Sequence, residues 1–481
     1  MKMEDKKPSL EEVFSPCGVA VVGASPTGNT AFVRGLQEAG FPAIYPVNPN
    51  HTEVLGLPCY PSLQAIPGVV DHVVVSIPAE SALALLDDCA AKGVRSVHFF
   101  TAGFGETGQK ERTELERLML EKARAGGFRI IGPNCMGLFV PKSHLSNAAF
   151  GKPLEPGTIA FISQSGGNAH DLPFHARPRG LRFSKIVSYG NALDVDESEL
   201  LQYLAQDPET DIIGAYIEGI KDGRHFLEAL KKAAARKPVV IYKGGTTEAG
   251  RRAAYGHTAS LTSSAAVFDA LCRQLNIIQI DDMEELVDVV VTLRFASPLP
   301  RGTGVAVVGT GGGATVLAGD EIEKAGLRLP PLPQEIGTEL REFLPLAGSI
   351  FGNPLDARSL MSVEGVSAIL NRLGKLPEIH MFVYHLGFHP ASHWSSGRLS
   401  SNLLQLTNAL LEAKRSTGKP VLLALRRPPD IVGTQNFLAA QEAFSGAGLP
   451  VFYSARQLAK AMARVVTWHQ ARNSGGGETA D

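Results

Sequence analysis

The sequence predicts an α/β protein of three doubly wound domains, and two observations carry that reading. Three segments begin alike: GVAVVGASPTGN at 18–29, GTIAFISQSGGN at 157–168 and GVAVVGTGGGAT at 304–315. Each is an apolar run of strand length entering a Gly/Ser-rich turn and then a helix-like stretch, which is how a doubly wound domain opens. After each opening, short apolar runs alternate with amphipathic helical stretches, the pattern of parallel strands joined by crossover helices. A chain of 481 residues is also too long for one hydrophobic core, so several domains are expected.

Taken in order, the first domain (12–150) continues through AIYPVN (43–48), HVVVSI (72–77), RSVHFFT (95–101) and FRIIG (128–132), with helical stretches such as ALALLDDCAAKG between them. The second (151–296) runs through FSKIVSYG, DIIGAYIEG, KPVVIYKGG and NIIQID. The third (302–473) adds IHMFVYHLG, KPVLLALRR and GLPVFYS. The Pro- and Gly-rich FASPLPRG at 295–302 is the strongest linker and KPLEPG at 152–157 a weaker one. The closing SGGGETAD (474–481) has too little apolar content to pack and is expected to be a disordered tail.

Composition narrows the function classes. With 44% hydrophobic and 20% charged residues the chain is neither largely disordered nor fibrous. Lys plus Arg number 46 against 48 Asp plus Glu, a formal charge of −2, so no global basic field draws nucleic acid or an anionic membrane. No apolar run nears the roughly 20 residues of a membrane span, and MKMEDKKPSLEE lacks the apolar core of a secretory signal. Cytoplasmic residence is expected. Cys17, Cys59, Cys89, Cys135 and Cys272 are scattered, without zinc-ligand spacing, and read as reduced, mostly buried thiols. No metal site is expected.

Three glycine-rich turns after strands invite a phosphate reading. GxxxxGK[ST] occurs nowhere, so there is no P-loop. The first turn, Gly23-Ala24-Ser25-Pro26-Thr27-Gly28, lacks the second glycine of GxGxxG. The next strand ends in Asn48, where a dinucleotide fold would carry an acidic ribose ligand. NAD and a dehydrogenase are therefore disfavoured. What remains is a helix start beside Ser25 and Thr27, suited to another adenine-nucleotide phosphate or simply to tight strand-to-helix packing.

The second turn, Ser163-Gln164-Ser165-Gly166-Gly167-Asn168, offers hydroxyls and open amides at a helix start, a cradle for a small phosphate. Further on, KPVVIYKGG is followed by a Gly/Thr-rich loop on which His257 is placed, before a helix that Thr262, Ser263 or Ser264 would cap. A lone histidine is more often structural than functional. Glu218, at the end of strand IIGAYIEG, lies at the sheet edge where ligands bind; it would orient an imidazole or, on the structural alternative, pair with a lysine.

In this order GASPTGN, PVNP (46–49), SIPAE (76–80), GPNCMGL (132–138), SQSGG, GNALDVDESELLQYLAQDPET (190–210), YIEGI (216–220) and GHTASL (256–261) resemble the α subunit of the NDP-forming acyl-CoA synthetases. That superfamily includes succinyl-CoA synthetase, and the nearest look is to its ADP-forming acetate–CoA ligase type. The resemblance runs from about residue 12 to 470. It implies a Rossmann-like CoA-binding domain followed by two flavodoxin-like, succinyl-CoA synthetase-like domains. It also implies a relay in which phosphate converts an acyl-CoA to an acyl phosphate, the phosphoryl group passes to His257, and ADP finally accepts it as ATP.

On this resemblance Glu218 orients His257, and Ser163, Ser165, Gly166 and Gly167 hold the phosphoryl oxygens. Coenzyme A lies along Gly23, Ser25, Thr27, Pro46, Asn48, Pro49, Ser76 and Pro78, with Asn134 near the reacting end. Two positions depart from the family pattern: Thr246 stands where relatives commonly carry arginine, and Ala259 where glycine is frequent. Both put the geometry and rate of the His257 segment in question more than its chemistry. ADP or ATP, with Mg²⁺, is bound in this family by an ATP-grasp module. No stretch of the chain is left over for one, so an ATP-grasp β subunit is expected, in an α2β2-like assembly acting on a small carboxylic acid. The competing readings are an inactive CoA-binding regulatory or scaffold subunit and a protein acyltransferase; the paired His257 and Glu218 argue against the first.

Overall fold

The computed structural model describes residues 7–28, 30–151, 153–258, 264–344, 348–356, 363–388, 399–428 and 430–475. The chain divides into two compact units, Met1–Pro173 with Arg182–Met283, and Phe174–Leu181 with Glu284–Asp481.

In the first unit, a short helix α1 (Leu10–Phe14), closed by a Ser9–Glu12 capping box, precedes the first sheet. Its elements are β1 (Val19–Val22), α2 (Ala31–Ala39), β2 (Ile44–Val47), a small hairpin of β3 (Glu53–Val54) and β4 (Leu57–Pro58), β5 (His72–Val75), α3 (Ala82–Lys92), β6 (Ser96–Phe99), α4 (Lys110–Gly126) and β7 (Arg129–Ile131). The main strands lie in the order β2-β1-β5-β6-β7, all parallel. Strand order reverses between β1 and β5, and that switch point is where an open α/β sheet binds its ligand.

The second sheet starts with β8 (Gly137–Val140) and β9 (Leu145–Ser146) and goes on through β10 (Pro156–Ser163), α5 (Gly166–Ala176), β11 (Phe183–Ser188), α6 (Glu197–Gln206), β12 (Ile212–Ile217), α7 (Gly223–Arg236), β13 (Val239–Lys243), α8 (Glu248–Thr258), α9 (Ala265–Gln274) and β14 (Ile278–Ile280). Its order is β14-β13-β12-β10-β11-β8-β9, with five parallel strands and an antiparallel hairpin at one edge. β8 and β9, which precede residue 150, cover the edge of β11 rather than extending the first sheet. Ser264 precedes α9 without a side-chain cap bond, and Thr262 and Ser263 lie outside the described residues.

Besides the Phe174–Leu181 segment, the second unit holds α10 (Met283–Phe295) from Glu284 on, β15 (Val305–Gly309), α11 (Gly312–Lys324), α12 (Gln334–Phe343), β16 (Ile350–Phe351), β17 (Leu355–Asp356), α13 (Val363–Gly374), β18 (Met381–Gly387), α14 (Leu399–Thr417), β19 (Val421–Arg426), α15 (Ile431–Gly446), β20 (Val451–Phe452) and α16 (Ala455–Gly475). The sheet order is β16-β17-β15-β18-β19-β20, with β16 alone antiparallel. Three sheets and three apolar openings match the expected α/β architecture. The division between units falls inside α5 at Pro173, whose missing N–H interrupts the helix ladder. Beyond it, Arg179 is fully buried in the second unit, donating to the Val451 carbonyl and to Asp288.

Candidate functional site

At the switch point of the first sheet, Gly23 ends β1 with φ +89°. A β-carbon there would come within 2.5 Å of the Ser76 carbonyl, so only glycine lets these two strand ends approach. The turn that follows is tied locally: the Ser25 hydroxyl accepts from the Thr27 amide at 3.4 Å. Thr27 is exposed. Asn48, which stands where a ribose-binding acid would, donates to the Ala24 carbonyl at 2.8 Å and accepts from the Asn50 amide at 3.0 Å. Its side chain thus braces the first turn against Pro49 and its neighbours. Pro46 lies on the edge strand β2 opposite Val21.

Ser76 and the exposed Pro78 follow β5, and Thr101 connects them to Asn134. The Thr101 hydroxyl donates to the Ile77 carbonyl at 2.7 Å, and the Asn134 amide donates to the Thr101 carbonyl at 3.0 Å. Asn134 sits in left-handed backbone, φ +59°. These residues gather at one end of the sheet, and the arrangement fits an extended anionic ligand: a helix start, a narrow glycine passage and half-exposed polar groups.

The second sheet repeats the logic at its own switch point, between β10 and β12. Ser163, expected as a phosphate ligand, has another place: it is fully buried, its hydroxyl donating to the Ser165 carbonyl at 2.7 Å and accepting from the Ser165 amide at 3.1 Å. Its hydrogen-bonding capacity is spent inside the turn, which it holds open. Ser165 accepts the Asn168 amide on its hydroxyl, capping α5. The amides of Gly166 and Gly167 have no acceptor among the described residues and point from a helix N-terminus, where partial positive charge favours an anion.

Gln164 joins this turn to the next strand end, its side-chain oxygen accepting the amides of Glu218 and Gly219, the latter at 2.9 Å. Glu218 is 5% exposed and accepts from the Tyr216 hydroxyl at 3.0 Å. Lys243, at the end of β13, donates its ammonium to the carbonyls of Glu218 and Gly244. Burial pushes that ammonium down to about 8, partly offset by the Glu218 charge. The lysine alternative for Glu218 is thus met at its backbone oxygen.

The placement of His257 differs from expectation in one respect. Residues 248–258 form α8 rather than a loop, since Glu248, Ala249 and the Arg251–Ala254 run are good helix formers. The side chain of His257 and all of Ala259 lie outside the described residues. Thr246, just before α8, is exposed and its carbonyl accepts from Arg251 at 3.3 Å. Among the described residues no group of three or more His, Cys, Asp or Glu side chains could hold a metal ion. No helix among them is long and apolar enough to cross a membrane.

The sequence alone gives no bridging role to Thr101, Gln164 and Lys243, which tie the strand ends together. Their signal, a polar residue at the C-terminal end of a parallel strand, was available in the sequence.

Comparison with known proteins places this geometry. Residues 18–141 match a CoA binding domain and residues 156–293 a succinyl-CoA ligase like flavodoxin domain. The chain is 35% identical over 478 residues to the α subunit of ADP-forming acetate–CoA ligase II of Pyrococcus furiosus, covering 97% of this chain and 99% of that one. An ADP-forming acetate–CoA ligase II of Archaeoglobus fulgidus is 38% identical across 74% of this chain, which spans only 54% of that longer protein. Among solved structures, an acetyl-coenzyme A synthetase 1 of Candidatus Korarchaeum cryptofilum, described as dinucleotide forming and in complex with phosphate and ADP, superposes with a TM-score of 0.81 at 29% identity, covering 99% of this chain and 100% of the other. The fold, the matched domains and these relatives define an acid–thiol ligase of the succinyl-CoA ligase type. Within it, the chain belongs to the α subunits of the ADP-forming acetate–CoA ligases.

Proposed function

We propose that this chain carries out the acyl-phosphate and phosphohistidine half of an ADP-forming acyl-CoA synthetase reaction. A phosphate oxygen attacks the thioester carbonyl of an acyl-CoA; the carbon–sulfur bond breaks and CoA leaves as the thiol. A ring nitrogen of His257 then attacks the phosphorus of the acyl phosphate, and the carboxylate leaves. ADP finally takes the phosphoryl group from His257, giving ATP and the free imidazole. Run backwards, the sequence activates a small carboxylic acid.

The observation that carries this reading is the convergence at the second switch point. The open Gly166 and Gly167 amides and the buried Glu218 are tied together by Gln164, and α8, which bears His257, starts a few residues beyond the adjacent strand β13. Preorganised amides at a helix start stabilise phosphoryl charge, and a carboxylate on one imidazole nitrogen leaves the other nucleophilic. Coenzyme A fits the first switch point through Gly23, Ser25, Thr27, Pro46, Asn48, Pro49, Ser76, Pro78 and Asn134, because the Gly23 passage is closed to any β-carbon. ADP and Mg²⁺ are assigned to an ATP-grasp partner in an α2β2-like assembly, in keeping with the α-subunit relatives. We place the protein in the cytoplasm, where its five unpaired cysteines stay reduced.

The test is incorporation of one acid-labile phosphoryl group from acetyl-CoA plus phosphate, or from acetyl phosphate, read by intact mass. Wild type is expected to gain it and His257→Ala to lose it. Absence of label on wild type with every donor, also after addition of an ATP-grasp partner and nucleotide, would sink the reading in favour of a CoA-binding regulator.

A further inference from the structure

We infer that His98 is a positioning residue that sets the Gly132–Gly137 loop between the two switch points; this rests on the functional reading above. His98 lies on β6, fully buried. Its Nε2 is 2.8 Å from the Cys135 carbonyl and its Nδ1 3.0 Å from the Asn147 side-chain amide nitrogen. A carbonyl only accepts, so the proton sits on Nε2, and Nδ1 accepts from Asn147. Burial pushes the imidazole down to about 4, which keeps it in this neutral form near neutral pH.

The Cys135 carbonyl lies at the centre of the loop. On one side of it Asn134, in left-handed backbone, reaches the Thr101 carbonyl and so the Ser76–Pro78 segment. On the other side the Met136 amide donates to the Ser188 hydroxyl at 3.1 Å, and the Met136 side chain backs Gly166, 3.0 Å from where a β-carbon would be. The loop also meets the 190–193 segment backbone to backbone: the amides of Asn191 and Leu193 donate to the Pro133 and Gly132 carbonyls, and a β-carbon on Gly190 would fall 2.2 Å from the Pro133 carbonyl. One imidazole thus holds the segment that gives Asn134 to the CoA side and Met136 to the phosphate cradle. Gly137 leaves it room, since a β-carbon there would lie 2.4 Å from the His98 ring.

His72 supplies a built-in control. It is equally buried, stacks on His98 with centroids 6.4 Å apart, and bonds Ser96 at 2.7 Å. Among the described residues it has no hydrogen bond to the 132–137 loop. The test compares His98→Leu, His98→Gln and His72→Leu by three readouts: melting temperature, amide exchange of the peptide spanning 132–137, and single-turnover phosphoryl incorporation from acetyl-CoA and phosphate. Both leucine variants are expected to lower the melting temperature. His98→Leu alone is expected to raise exchange in the loop and to slow incorporation about tenfold or more, the scale of a misplaced reacting group. The glutamine variant, whose amide can donate to Cys135 and accept from Asn147, is expected to recover most of both. Equal exchange and equal rates in the two leucine variants would overturn the inference, as would a glutamine variant no better than leucine. A wild type that takes up no phosphoryl would instead defeat the functional reading, and loop exchange alone would then decide the role of His98.

Discussion

Lys243 is the residue whose ionisation most directly tests the charge balance of the second switch point. Its ammonium is buried against two carbonyls and is pushed down to about 8 from 10.5. Between those values the unfolded chain holds the proton and the folded one has shed it, so stability rises with pH across that window. In Lys243→Met this rise is expected to disappear. The difference in unfolding free energy between wild type and variant, followed from pH 7 to about 10.5 by denaturant melts, checks it. An equal slope in both proteins would mean that the ammonium is not held in the low-dielectric setting described. The strand-end positions of Glu218 and of the Ser165–Gly167 helix start were legible in the sequence because each follows an apolar strand. The hydroxyl of Ser163 suggests a ligand in the sequence, whereas only geometry reveals that it closes on the Ser165 backbone.

Among the elements, the turns at the strand ends matter more than the helices they join. The β1–α2 turn depends on Gly23: alanine there would place its β-carbon 2.5 Å from the Ser76 carbonyl, at φ +89°. Gly23→Ala is expected to cost about 1–3 kcal/mol of stability, typical of strained backbone. CoA affinity is expected to fall about tenfold or more, or about 1.4 kcal/mol, as β1 and β5 part. Calorimetric titration with CoA, paired with a thermal melt, measures both; unchanged affinity would remove Gly23 from the binding site. Strand positions were readable from apolar runs bounded by turn residues. The short β16 and β17 were not, because two-residue strands carry no periodicity. The helical state of 248–258 was missed because Gly250 and Gly256 drew the reading towards a loop, while the alanines and arginines between them sustain the helix.

At the scale of the whole molecule, the first unit joins two sheets through a buried ion cluster. Arg129, at the start of β7 and 1% exposed, donates to Asp194 at 2.8 Å and to Glu199 at 2.8 Å. Asp194 also accepts the Ile130 amide, and Lys7 reaches it from outside. Removing one partner of a buried pair leaves the others uncompensated, so Arg129→Met is expected to cost about 3–5 kcal/mol. A melting temperature within a degree of wild type would refute that. The three larger sheets were legible from the three glycine-rich openings, each of which follows a central strand. The division into two units was not, since nothing local in PFHARPRGL shows that its second arginine, Arg179, is destined for a sheet far along the chain. That arginine has a consequence for synthesis. Arg179 and the Val451 carbonyl that it meets are 272 residues apart. On a ribosome the guanidinium therefore emerges long before its acceptor exists, and the second unit cannot close around it until residue 451 has been made.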